Sequence, residues 1–242
     1  MSWRRDADGY ELFFNRDELQ SRAPESAPER HERDGVAFLA PRDGARGGTW
    51  LLVNERGVTV CLLNDYSCPW RPLEPRSRGE VVLACAAAAS PEGVAAAVHA
   101  QPLGRVAPFH LVAIVPGASP LRLHWDGAGL AESRGATLSA PLSSSSFATA
   151  AVIAARVRRF SAYVREPAAP TSDELAAYHR QHDLRAGADS VLMRRPDAAT
   201  RSISRVRVGP AQVCLDYDAV AWGAIGPVFT PTRHELPRCD RG

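Results

Sequence analysis

Asn15, Arg16, Asp17 and Glu18 stand side by side directly after two aromatics, in "FFNRDEL". Four polar side chains at the end of an apolar strand can form a compact hydrogen-bonded network. An Arg held by a carboxylate presents fixed donors, and the carboxylate can orient a nucleophile or an amine. The competing reading of the same residues is a turn closed by a structural salt bridge. Asn64 ends a second apolar run, "VCLLN". Its side-chain amide suits an oxyanion, or a plain strand-end turn. Gly47 and Gly48, ahead of Thr49 and Trp50, let the backbone approach another group closely; an ordinary loop has the same letters. "SSSS" at 143–146 reads as a helix cap or as a hydroxyl-lined wall.

Other chemistries are excluded or lack their residues. All 29 basic residues are Arg, so a Schiff-base lysine, a Walker A lysine and a Ser-Lys dyad are ruled out. "GAGLAE" at 127–132 lacks the third glycine of a dinucleotide fingerprint, and no H-E-x-x-H occurs. No metal ligand set is named. His179 and His182 share a helix spacing in a polar segment, which reads as a solvated face, and "RVRRF" at 156–160 reads as the outer face of its helix. His99, His110 and His124 read as packed or exposed. The five cysteines are odd in number, widely spaced and free of C-x-x-C. That pattern favours a reducing, cytoplasmic setting over a disulfide framework. The net charge of +2 gives no reason to expect a nucleic-acid partner. No apolar run is long enough to span a bilayer, and "MSWRRDADGY" has no apolar core of a signal peptide.

The elements that must position these residues follow from pattern. "SWRRDADGYELFF" reads as a hairpin about a two-residue Asp8-Gly9 turn. Residues 20–35 are polar and Pro-containing and read as a surface loop. "VAFLAPRD", 49–54 and 58–63 read as strands, the last two forming a hairpin around Arg56-Gly57. Helices are expected over "RSRGEVVLACAAAA", over "SPEGVAAAVHA" with Ser90 as cap, over "SSFATAAVIAARVRRFSAYV", and over "TSDELAAYHRQH" with Thr171 or Ser172 as cap. Strands are expected at 109–115, 121–125, "SVLMRR", "RSISRVRV" and "QVCLDYDAV". The order is strands, helices, strands, helices, strands, without βαβ alternation. An α+β layered sandwich of two antiparallel sheets with helices outside accommodates it. The length fits one domain over 1–242, with a loose tail from about 223.

"FFNRDEL", "LAPRDGARGGTWLLVNERGV" and "LLN", in this order and spacing, resemble the NRDE family, the Transport and Golgi Organization 2 family. The likeness is strongest over residues 3–64. It continues through "SRGE", "PLSSSSF" and "ADSVLMRRPDAATRSISRVRV". It implies a four-layer αββα sandwich of the N-terminal-nucleophile hydrolase type. It further implies a Cys that, once Met is removed, acts as nucleophile and as base through its own α-amine, cleaving a linear, non-peptide amide. Arg16 and Asp17 match the residues that position such a nucleophile, and Asn64 the oxyanion donor. Asn15, Glu18 and Trp50 are assigned to the substrate pocket, as are Ser144 and Ser145, which match a small polar segment of relatives. Arg16 and Asp17 are expected to be buried and paired with each other, and Asn64 to lie near residues 15–18.

Family members begin Met-Cys-Thr, and relatives of this subgroup resemble "MCTVSW" where this chain begins "MSW". The expectation is therefore a gene start read too late, with the Cys two residues upstream of Met1. Ser2 is one residue out of phase with such a Cys and should face the other way. As written, the chain would be inactive. The partner implied is a small-molecule substrate or ligand, with no cofactor. The alternative reading is haem binding or trafficking without catalysis.

Overall fold

The computed structural model describes residues 1–135, 141–164 and 169–239. Strands β1 (Ser2–Arg5), β2 (Tyr10–Leu19), β10 (Ala198–Val208), β11 (Gln212–Trp222) and β12 (Pro227–Pro237) form one antiparallel sheet in the order β1-β2-β10-β11-β12. The second sheet runs in sequence order: β3 (Ser26–Arg33), β4 (Val36–Arg42), β5 (Leu51–Asn54), β6 (Thr59–Asn64), β7 (Phe109–Ile114), β8 (Leu121–Trp125) and β9 (Leu130–Arg134). Helices α1 (Arg78–Ala84) and α2 (Pro91–His99) cover the outer face of the second sheet. Helices α3 (Thr149–Tyr163) and α4 (Ser172–His179) cover the outer face of the first.

Three apolar layers follow from the alternation of side chains along each strand. Leu12 and Phe14 of β2 point inward, against Leu39, Leu51, Val53, Cys61 and Val112 of the facing sheet. Phe13, between them, points outward and packs with Phe160, Leu175 and Tyr178 of the helices. Across the molecule, Leu52, Val60, Leu62 and Leu111 pack on Val81, Val82 and Val98 of α1 and α2. The result is the expected αββα order.

Several local expectations are corrected. The first hairpin closes through four residues, Asp6 to Gly9, because Arg5 already pairs with Tyr10. Gly9 serves close approach rather than the turn: a Cβ there would meet the Val208 carbonyl oxygen at 1.8 Å. Residues 26–33 are not loop but strand β3, an edge strand whose polar sequence reflects its exposure. The tail expected to be loose from about 223 contains β12, which pairs with β11 along its whole length. "SVLMRR" is not a strand, and β9, which the pattern did not show, runs out of "GAGLAE". Helix α2 starts at its Ser90 cap, and α4 carries a Thr171–Glu174 capping box. No serine of 143–146 caps α3; its N-cap is Ala148, in the left-handed conformation.

Candidate functional site

The polar cluster does not follow the strand; it is the strand, since β2 continues to Leu19. Alternation therefore separates neighbours. Arg16 points inward with Leu12 and Phe14. Its guanidinium lies 4.3 Å from the centroid of the Trp50 ring and bonds Asp43 at 2.9 Å and Glu25 at 3.1 Å, with Glu18 at 3.4 Å. Asp17 points to the helix layer. It meets Arg156 at 2.9 Å and accepts from the Thr200 hydroxyl at 2.6 Å. Arg16 is buried and Asp17 partly so, but they do not pair with each other, because adjacent strand residues face opposite sides.

Asn15 also faces the helices. Its Nδ2 donates to the carbonyls of His179 and Val191, so its Oδ1 is left to accept from His179 Nδ1, at 2.7 Å. That fixes the proton on Nδ1, and Nε2 accepts the Ser2 hydroxyl at 2.8 Å. His179 is thus buried and relays a bond from the NRDE strand to the start of β1, which corrects its reading as a solvated residue. Burial, then the N-terminal amine and Arg156, hold it well below the usual histidine range, hence neutral. Arg156, expected on an outer face, is buried too and bonds Asp17, Ser143 and the Ala188 carbonyl. A single Arg in "RVRRF" carries no letter-level sign of burial; only its position on α3 over Asp17 does.

These residues border a cavity of about 430 Å³. Met1, residues 15–18, Trp50, Asn64, Ser143, Ser144, Arg156 and His179 all line it, so Asn64 borders the same cavity as the NRDE residues. Asn64 Nδ2 donates to the Tyr66 hydroxyl at 2.7 Å. Ser144 reaches the wall, whereas Ser145 turns its hydroxyl to the Phe147 carbonyl and is not part of the lining.

The Gly-Gly pair finds its partner here. A Cβ on Gly48 would meet Gly79 Cα at 2.9 Å, and one on Gly79 would meet Thr49 N at 2.7 Å. The start of α1 therefore docks backbone-to-backbone on the lead-in to β5. The α-amine of Met1 donates to the Leu142 carbonyl at 2.6 Å, while Leu142 N returns a bond to the Met1 carbonyl. Burial first, and Arg156 second, bring that amine down to about 5.

A second polar group lies elsewhere. His110 and His124 pair across β7 and β8, and His124 Nε2 is 2.8 Å from Asp65 Oδ2. Among the described residues these three have metal-ligand chemistry and proximity. The Arg122 guanidinium stands against His110, at 3.0 and 3.4 Å from its two ring nitrogens, a positive charge beside any cation bound there. His99 is exposed at the end of α2.

The profile of the Transport and Golgi organisation 2 family matches residues 1–164. No curated protein sequence matches the chain. Among solved structures, penicillin V acylase from Agrobacterium tumefaciens superposes with a TM-score of 0.53 at 12% identity, over 96% of this chain and 80% of that one. A mutant of the conjugated bile acid hydrolase from Clostridium perfringens superposes with a TM-score of 0.51 at 11% identity, over 98% and 92%. At such identity the likeness establishes the N-terminal-nucleophile hydrolase fold.

Proposed function

Because the chain belongs to the Transport and Golgi organisation 2 family, we propose that it is an amidohydrolase of the N-terminal-nucleophile type. Its site is shaped to take a Cys two residues ahead of Met1, with which it would cleave a linear, non-peptide amide through a thioester. The names of the two structural neighbours, an acylase and a hydrolase, are in keeping with this role.

The carrying observation is strand register. Ser2 pairs with Phe13, so continuing the ladder sets Met1 opposite Phe14 and the second residue upstream opposite Arg16. That residue shares the inward face of Met1, where Arg16 meets Asp43 and Trp50. A guanidinium there favours the thiolate. The thiolate would attack the amide carbonyl. The C–N bond breaks, the amine leaves with a proton relayed by the Cys α-amine, and water then hydrolyses the thioester. Asn64 has a second side-chain N–H to offer the oxyanion.

The amine of Met1 is buried at the same end of β1. With its value lowered to about 5, it is neutral at pH 7, and keeping it so costs about 1.4 kcal/mol there. A peptide N–H makes the bond to the Leu142 carbonyl without that cost.

The test is iodoacetamide labelling, read by mass spectrometry, of a chain carrying Cys-Thr ahead of position 1 with that Cys as the first residue. The expected result is an N-terminal Cys that labels at least ~10-fold faster than Cys61 or Cys68, in keeping with a depressed thiol pKa. Equal rates would remove the hydrolase mechanism.

A further inference from the structure

Six arginines line the cavity: Arg16, Arg22, Arg46, Arg76, Arg78 and Arg156. Four have their charge answered by the protein. Arg16 and Arg22 share Asp43, Arg76 pairs with Glu80, and Arg156 pairs with Asp17. Arg78 and Arg46 have no carboxylate within ion-pair range among the described residues. Arg46 is exposed at the rim, where solvent screens it. Arg78 is half-buried, and among the described residues its one side-chain bond is from Nη1 to the Pro108 carbonyl at 3.2 Å. Burial is the main cause that lowers its guanidinium from the ordinary value. Such a charge has lost water and gained no counter-ion.

We propose that Arg78 is an anion-binding residue of this cavity and that the natural ligand carries a carboxylate or phosphate group beside its scissile bond. This rests on the amidohydrolase reading for the second half of the statement only.

Two observations point the same way. The bond from Nη1 leaves the Nε and Nη2 edge of the guanidinium, the planar fork that takes two oxygens of one oxyanion. The side chain is held where it is by backbone contact. Gly79, the next residue, packs on Gly48 and Thr49 so closely that no Cβ fits, and the Pro108 carbonyl fixes the far end. The "SRGE" segment, whose role the letters leave open, is thereby given one: Ser77 caps α1, Gly79 docks it, Arg78 meets the ligand and Glu80 occupies Arg76.

The experiment uses the 242-residue chain with inorganic phosphate in one arm and acetate in the other, in a chloride-free buffer, with intrinsic tryptophan fluorescence and calorimetry as readouts. Neither probe contains an amide, so the result is independent of whether the protein hydrolyses one. Saturable binding is expected in at least one arm, which also tells which oxyanion is preferred. Arg78→Gln should weaken it ~10- to 100-fold, the worth of a charge-assisted pair. Arg78→Lys should recover part of that, and Arg46→Gln should cost only a few-fold, as a screened rim charge does. Circular dichroism melts would show that each variant folds. Absence of saturable binding by the unmutated chain overturns the proposal. So does equal affinity in folded Arg78→Gln, or an Arg78→Lys that binds no better than Arg78→Gln. If Arg78→Gln does not fold, Arg78→Lys alone decides, since it keeps the charge and loses the fork: a bidentate site then weakens several-fold, and unchanged affinity overturns it.

Discussion

Gly79→Ala sets two effects of opposite sign against each other, and the structure says which wins. On helix propensity alone, Ala in place of Gly stabilises by up to about 1 kcal/mol. At position 79, however, the new Cβ would lie 2.7 Å from Thr49 N, 2.8 Å from Thr49 O and 3.0 Å from Gly48 Cα, where ordinary contact begins at 3.4 Å. All three are backbone atoms, so no flexible side chain can swing aside. Helix α1 must move off the lead-in to β5, an overpacking that costs about 1–3 kcal/mol. The net expectation is a loss of about 1 kcal/mol, or about 2–4 °C in Tm for a chain of this length. Gly93→Ala in α2 is the control. Its Cβ would meet Ala88 Cβ at 3.6 Å and Ser90 Oγ at 3.7 Å, so propensity acts unopposed and the variant should gain about 0.5–1 kcal/mol. Urea unfolding of the three proteins, with a shared slope, measures both. If Gly79→Ala is stabilised as much as Gly93→Ala, the backbone docking that places Arg78 is not there, and the preorganisation argued for that residue goes with it.

Arg156→Ala should lose about 3 kcal/mol, because it removes a buried guanidinium and leaves the partly buried Asp17 carboxylate without its counter-ion; Arg158→Ala, on the exposed side of the same helix, should stay within about 0.5 kcal/mol in the same denaturation assay, and equal effects would contradict the assignment. His179 is buried and neutral, with its value lowered, so the unfolded chain binds a proton that the folded one does not. Stability is therefore full above the unfolded value of 6.5 and falls as pH drops below it, by up to about 1.4 kcal/mol per pH unit; His179→Gln should flatten that limb in urea titrations at stepped pH. The Met1 amine, lowered from 8.0 to about 5, adds a second loss over that window by the same sign. Extending the chain by two residues should abolish it and raise stability at pH 7 by about 1.4 kcal/mol; an unchanged pH profile would refute the buried-amine argument.

Much of this protein was legible in its letters. β-Branched and apolar runs such as "TVCLLN", period-two runs such as "LRLHW" and capped runs such as "SPEGVAAAVH" declare their own structure, because strand propensity, strand alternation and helix capping are local. The order of those runs accommodated two antiparallel sheets with helices outside, the family resemblance implied their αββα layering, and "FFNRDEL" with "GGTW" marked the neighbourhood of the cavity. Where local signals were weak, the letters misled. Strand β3 is polar since it is an edge, and β12 looks like tail until β11 is beside it; pairing partners far along the chain decide both. The site itself was settled by long-range geometry. Arg16 and Asp17 are adjacent in sequence and look like a pair, yet the pleat sends one to Asp43 and Trp50 and the other to Arg156. Nothing in "RVRRF", "AYHRQH" or "SRGE" says that Arg156 and His179 are buried or that Arg78 lacks a counter-ion. Those are properties of what each side chain meets, and only the packing of helices on sheets brings residues 139 and 164 positions apart into hydrogen-bond contact.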